Sequence, residues 1–154
     1  MKGSWHLATS DWLPFMQISQ NKYRLNKGEA STYSVIQSMR NHENLIIWKD
    51  SLTLVNEIYR LVKLLPKQES YGLYSQMTRA AISISSNIAE GCSRSSKKEF
   101  SRFLEISIGS AFELQTQLII VRENYRVPEI NSLINKTKVI QRQISSYKSK
   151  INQI

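Results

Sequence analysis

Arg79, Ser83, Asn87 and Glu90 follow one another at steps of four, four and three residues. On a helix that spacing gathers a cation, a hydroxyl, an amide and a carboxylate on one side, with Ser86 among them. Such a stripe could hold a polar ligand or pass a proton. Acyl or phosphoryl chemistry asks for more: a nucleophile beside a base, a metal set, or a glycine loop around a phosphate. None of these accompanies the stripe. The two histidines, His6 and His42, and the single Cys92 are far apart and lack zinc-ligand spacing. The residues therefore assign no catalytic, cofactor or metal site, and the chain does not read as an enzyme. The stripe is expected to be a structural polar network between helices or subunits, with Glu113 as a partner, because buried polar groups are normally paired and can set register.

A second chemistry is available to the cations. Arg94, Lys97, Lys98 and Arg102 surround the expected start of a helix, where open N–H groups and the positive dipole end favour an anion. The competing reading is a solvated capping loop. Farther on, Lys136, Lys138, Arg142, Lys148 and Lys150 stand in a helix with no acid from residue 130 onward. They spread over most of the helix circumference, so the plain reading is a solvated helix back, although unbalanced cations of this kind bind phosphate backbones with marked salt dependence. Only Tyr147 accompanies them, on the apolar side, so base stacking is not indicated.

Four helical periods position these groups. Asn44 is the expected N-cap of the first, which runs to Pro66. It carries one apolar seam at Leu45, Trp48, Leu52, Val55, Tyr59 and Val62, and a second at Ile47, Leu54, Ile58, Leu61 and Leu65. One strip would fill a core, and Trp48 or the second strip could meet a neighbouring subunit. The second helix is Tyr71 to Gly91, with Leu73, Met77, Ala80, Ala81, Ile84 and Ile88 inward and Gly91 as a left-handed terminator. Ser96 and Glu99 form a capping box that starts the third at Lys97, with Phe100, Phe103, Leu104, Ser107, Ala111, Leu114, Leu118 and Val121 marking its apolar face. Gly109 and Ser110, in mid-helix, are costly unless a neighbouring helix passes close by. Pro128 is expected at the first position of a fourth helix whose apolar face runs from Ile130 through Ile140 and Ile144 to Ile151. Short loops between long helices make an antiparallel, all-α, up-down-up-down four-helix bundle the natural packing.

The chain is 154 residues with 21 Lys+Arg against 12 Asp+Glu, a net charge of +9 that suits a polyanionic partner without requiring one. One cysteine precludes an intrachain disulfide and fits a reducing compartment, the cytoplasm. No apolar run approaches the roughly 20 residues needed to span a bilayer, so no membrane role is expected. Residues 1–40 show no sustained period and no signal-peptide pattern, and are expected to be an irregular, poorly structured extension before a bundle over residues 41–154. Met39 is an alternative start, and Trp5, Trp12, Leu13, Phe15 and Met16 could dock as a short segment.

Leu45, Trp48, Ile58-Tyr59, Pro66, Tyr71-Gly72-Leu73, Gln76, Arg79-Ala80-Ala81 and Ser86-Asn87-Ile88-Ala89-Glu90-Gly91 occur in an order that resembles a known family. Arg94, Phe100, Phe103-Leu104, Gly109-Ser110 and Glu113 continue the likeness. The sequence resembles the bacterial four-helix-bundle proteins named for reading frames inside intervening sequences of 23S ribosomal RNA genes. The likeness is detailed over residues 41–125 and general in the fourth helix. It implies a small cytoplasmic bundle that self-associates as a ring of five and binds nucleic acid. Distantly similar bundles accompany reverse transcriptases of retroelements, so that partner is implied if the chain is encoded in one. Thr78 and Ser85 stand where such sequences often carry Arg and Pro, and Cys92 where an aromatic is common. An absent arginine at 78 counts against that segment as an RNA contact.

The expected function is thus a non-catalytic oligomeric module that contacts RNA or DNA through a basic surface of Arg94, Lys97, Lys98, Arg102, Lys136, Lys138 and Arg142. The alternative is a protein–protein scaffold or adaptor with no nucleic-acid role.

Overall fold

Leu45 is extended, and the chain turns helical at the next residue, giving helix α1, Ile46–Leu61. Asn44 is not its cap. Asn41 instead caps a single 3-10 turn at His42–Asn44, its Oδ1 accepting from the Glu43 N–H at 3.1 Å. That turn brings the His42 ring edge-on to Trp48, with centroids 4.8 Å apart. The helix tightens into a second 3-10 turn, Val62–Leu64, before Leu65 is forced extended by the following Pro66. The computed structural model describes residues 41–153. The expected irregular extension, residues 1–40, and the docking of Trp5 to Met16 lie outside the described residues.

Helix α2, Leu73–Cys92, begins behind Gly72, which has no side chain to cap it. Glu69 does that work from the preceding loop: its Oε2 accepts from the Leu73 N–H at 3.2 Å. The other oxygen, Oε1, accepts from the Tyr125 hydroxyl at 2.6 Å, tying the start of α2 to the end of helix α3, Lys97–Asn124. Ser96 caps α3 as expected, accepting from the Glu99 N–H and donating to the Glu99 carboxylate. Helix α4 is Ile130–Gln153, so Pro128 is not its first residue. Glu129 intervenes with φ of 60°, a left-handed turn that redirects the chain, and its carbonyl accepts from the Leu133 N–H.

The four helices alternate in direction and form a four-helix bundle, with no strand among the described residues. The inward faces are those the periodicity indicates: Met77, Ile84 and Ile88 on α2, Leu104, Leu114 and Leu118 on α3, and Ile144 on α4 are sealed from solvent. The second strip, Ile47, Leu54, Ile58, Leu61 and Leu65, fills the core and does not face outward, and Leu45, Val55 and Val62 of the first strip join it there. Trp48 and Leu52 are half-buried, and Tyr59 is exposed. The pairs α2–α3 and α3–α4 pack most closely, and α1–α4 least. That last seam is bridged by side chains: Gln143 Nε2 donates to Asp50 Oδ2 at 2.8 Å, and Lys136 pairs with Glu57. Between the two bridges is a cavity of about 200 Å³ lined by Leu54, Val139 and Ile140.

Gly91 does not terminate α2. It is buried inside the last turn, with no positive φ, and the helix continues through Cys92. A Cβ there would lie 2.5 Å from Cδ2 of Phe100 and 3.0 Å from Cβ of Phe103. The glycine is needed for close approach, not for a left-handed turn. Phe100 is itself buried and meets the Tyr147 ring edge-on, so it cannot swing aside freely. Gly91→Ala should therefore cost about 1–3 kcal/mol, the range for overpacking, read as a lowered midpoint in denaturant unfolding.

The Glu69–Tyr125 contact makes stability depend on pH. Bonds from Tyr125 and from the Leu73 N–H hold the Glu69 carboxyl below its ordinary value, and the same contact raises Tyr125. A lowered carboxyl stabilises the fold above its unfolded value and loses that contribution as pH falls through the folded one; a raised phenol loses its contribution as pH rises through its folded value. In Glu69→Gln both edges of the pH–stability curve should flatten, which thermal melts across acid, neutral and alkaline buffers would test.

Candidate nucleic-acid interface

The polar stripe of α2 divides in two. Ser83 and Asn87 are half-buried and turn toward α3. Asn87 Nδ2 donates to the Ser83 carbonyl at 2.7 Å and to Ser83 Oγ at 3.0 Å, and Ser83 Oγ lies 2.8 Å from Ser110 Oγ. One turn deeper, Ser107 Oγ donates to the Ile84 carbonyl at 2.9 Å. This part is an interhelical network of hydroxyls and an amide. Ser110, read from sequence as a cost, is a member of it, and Ser107 adds a separate bond across the same seam.

Arg79, Glu90 and Glu113 are not members. All three are exposed. Glu90 pairs with Arg94, one turn on, because the last turn of α2 carries its carboxylate outward beside the loop. Glu113 accepts from Gln117 Nε2 on its own helix, and it shares a recess with Arg79 without forming an ion pair. Within the single chain, then, only Ser83 and Asn87 of the five expected residues join a network, and Ser110 joins them.

The basic residues also separate. Arg94 is committed twice, to Glu90 and to the face of Phe103, with its guanidinium carbon 4.7 Å from the ring centroid. Lys136 is committed to Glu57 at the seam with α1. Lys97, Lys98 and Arg102 form no ion pair among the described residues and line one groove where the start of α3 meets the end of α4. Ile151 and Asn152 of α4 form its other wall. Two carboxylates are present, Glu99 and Glu105, but Glu99 is engaged by Ser96 and Glu105 by Lys148. The groove encloses about 660 Å³ and is open to solvent. Lys138 and Arg142 lie one turn apart on the exposed side of α4, also without an ion pair among the described residues. The seven expected contacts are therefore not one surface.

Elsewhere the titratable groups point to structure. Burial pushes the Cys92 thiol up to about 11 and Tyr147 up to about 12, so both stay protonated and inert near neutrality. No helix among the described residues is long and apolar enough to cross a membrane.

The 23S rRNA-intervening sequence protein family model matches residues 43–146, which span all four helices. The chain belongs to this family. A crystal structure of a protein with unknown function from the S23 ribosomal protein family, from Bacteroides thetaiotaomicron, is similar over 68% of this chain and 96% of that one. The two superpose with a TM-score of 0.62 at 25% sequence identity. No curated protein matches the sequence. In this intervening-sequence family member the matched region includes the groove residues Lys97, Lys98 and Arg102 as well as the hydroxyl network.

The division of the stripe predicts a contrast in unfolding. Asn87→Ala removes two donated bonds from a half-buried site and should cost about 1 kcal/mol. Arg79→Ala, at an exposed position with no ion pair, should change the unfolding free energy of the single chain by less than about 0.5 kcal/mol. Urea denaturation of both variants at low protein concentration measures the difference.

Proposed function

We propose that this chain is a non-catalytic, self-associating helical module that holds a polynucleotide by its phosphate backbone. The supporting observation is the convergence of Lys97, Lys98 and Arg102, free of ion pairs among the described residues, on one open groove. Open N–H groups of the first turn of α3 face the same end and add to the attraction for phosphate. Exposed cations spread along a groove suit an extended polyanion better than a small buried anion. No aromatic side chain lines the groove, so the contact is with backbone and not with bases. Self-association, which the family resemblance puts at a ring of five, would repeat the groove and multiply its affinity without any new contact.

Fluorescence anisotropy with labelled single-stranded RNA and duplex DNA, at about 50 and about 200 mM salt, tests this. Binding should weaken steeply with salt. Replacing Lys97, Lys98 and Arg102 together by Gln should reduce the log–log salt slope on single strands by about 2 for each chain engaged. No binding at the lower salt would overturn the reading and leave the scaffold or adaptor function. An unchanged slope in the triple variant would move the contact away from this groove.

A further inference from the structure

We propose that the recess between α2 and α3 at Arg79 and Glu113 binds a small zwitterion, an ammonium and a carboxylate on one short skeleton, as in the free α-amino acids. The site is separate from the basic groove and does not depend on it.

The recess follows from side-chain size and helix direction. Ser83 of α2 faces Ser110 of α3, with their hydroxyl oxygens 2.8 Å apart. The two helices run antiparallel, so seven residues back on α2 is opposite seven residues on along α3, and Gln76 faces Gln117. Between those two levels Ala80 and Ser83 are too small to fill the space beside Gln76 and Arg79, and Glu113 stands opposite as the far wall. The opening encloses about 400 Å³, a size usual for small-molecule sites. Ala80 is the one apolar residue in its lining, so the recess suits a polar occupant.

Its walls carry opposite signs. Arg79 and Glu113 are exposed and form no ion pair among the described residues. Solvated charges need no partner, whereas a buried amide oxygen does. Gln117 supplies such an oxygen at the edge of the recess. It is 6% exposed, and its Nε2 donates to Glu113 Oε1 at 3.1 Å. A carboxylate only accepts, so the amide cannot turn its oxygen to Glu113 instead. Its Oε1 is left buried without a hydrogen-bond partner.

A zwitterion answers all three groups. Its carboxylate takes the N–H fork of Arg79. Its ammonium has three donors, enough for the Glu113 carboxylate and the Gln117 oxygen behind it. Gln76, at the rim, is placed to contact the rest of the skeleton. Ligands of one sign fit less well: a phosphate drawn to Arg79 is repelled by Glu113, and an amine without a carboxylate is repelled by Arg79.

Two-dimensional proton–nitrogen spectra of the labelled full chain, titrated with glycine, L-serine, L-glutamine and β-alanine to roughly 10 mM, test the site. At least one of them should shift, saturably, the backbone amides of residues 76–83 and 113–117 and the side-chain amide of Gln117. N-acetylation or amidation of that ligand should each weaken binding at least about tenfold, as should Arg79→Gln and Glu113→Gln. Gln117→Met keeps the side-chain volume and removes the unpartnered oxygen. It should weaken binding without lowering the melting temperature of the free chain; a lowered melting temperature with binding intact would remove Gln117 from the site. No saturable shift with any of these ligands, or binding that survives both charge substitutions, would overturn the site. Binding of the N-acetyl and amide derivatives as tight as that of the parent would overturn the zwitterion as its ligand.

Discussion

The closeness of α2 to α3 is the constraint on which the other contacts rest. At Gly91 the ring of Phe100 occupies the space where a Cβ would stand. Farther along the same pair, Ser83 meets Ser110, and Ser107 reaches the Ile84 carbonyl, contacts that exist only because the residues between the two backbones are small. With that spacing fixed, Phe100 is held against Tyr147 of α4, and the start of α3 is carried to the end of α4, where the basic groove forms. Hydroxyls are suited to such a seam. They satisfy one another and nearby carbonyls at short range, and they fix a rotational setting that methyl groups of similar volume would leave loose.

Charge is allotted by a different rule. Among the described residues two ion pairs join different helices, Lys136 with Glu57 and Lys148 with Glu105, and both tie α4 to a neighbour. Exposed pairs of this sort add little stability. Their larger effect is to consume acids: once Glu57, Glu90 and Glu105 are engaged, the remaining cations act with little local compensation. At the groove, Lys97, Lys98 and Arg102 outnumber the carboxylates of Glu99 and Glu105, and Glu105 is turned to Lys148.

The helices and their inward faces were legible because a 3.6-residue period survives any detail of packing, and Ile84, Leu104, Leu114 and Ile144 each lie where it puts them. The seam of α1 was not, since Leu52 and Leu54 have the same chemistry and only the neighbouring helices decide which is inside. Gly91 misled for a related reason: a glycine at a helix end looks the same whether it supplies a left-handed turn or room for a ring, and the ring belongs to Phe100 on the next helix. The separation of Glu90 from the network could have been read, because Arg94 follows it by one turn. The bond between Glu69 and Tyr125 joins residues 56 positions apart and leaves no local sign. Of the candidate site, the cluster near the start of α3 was visible as a run of cations, whereas the wall supplied by Ile151 and Asn152 depends on where α4 ends.

The seam between α1 and α4 is the least closely packed of the four, and polar bridges flank a small cavity along it. Cohesion is thus uneven around the circumference. Fluctuations that separate α1 from α4 forfeit little dispersion energy, whereas separating α2 from α3 would strip the core on both sides. The edge between α1 and α4 is therefore the one along which the bundle would part first, with α2 and α3 the last pair to separate.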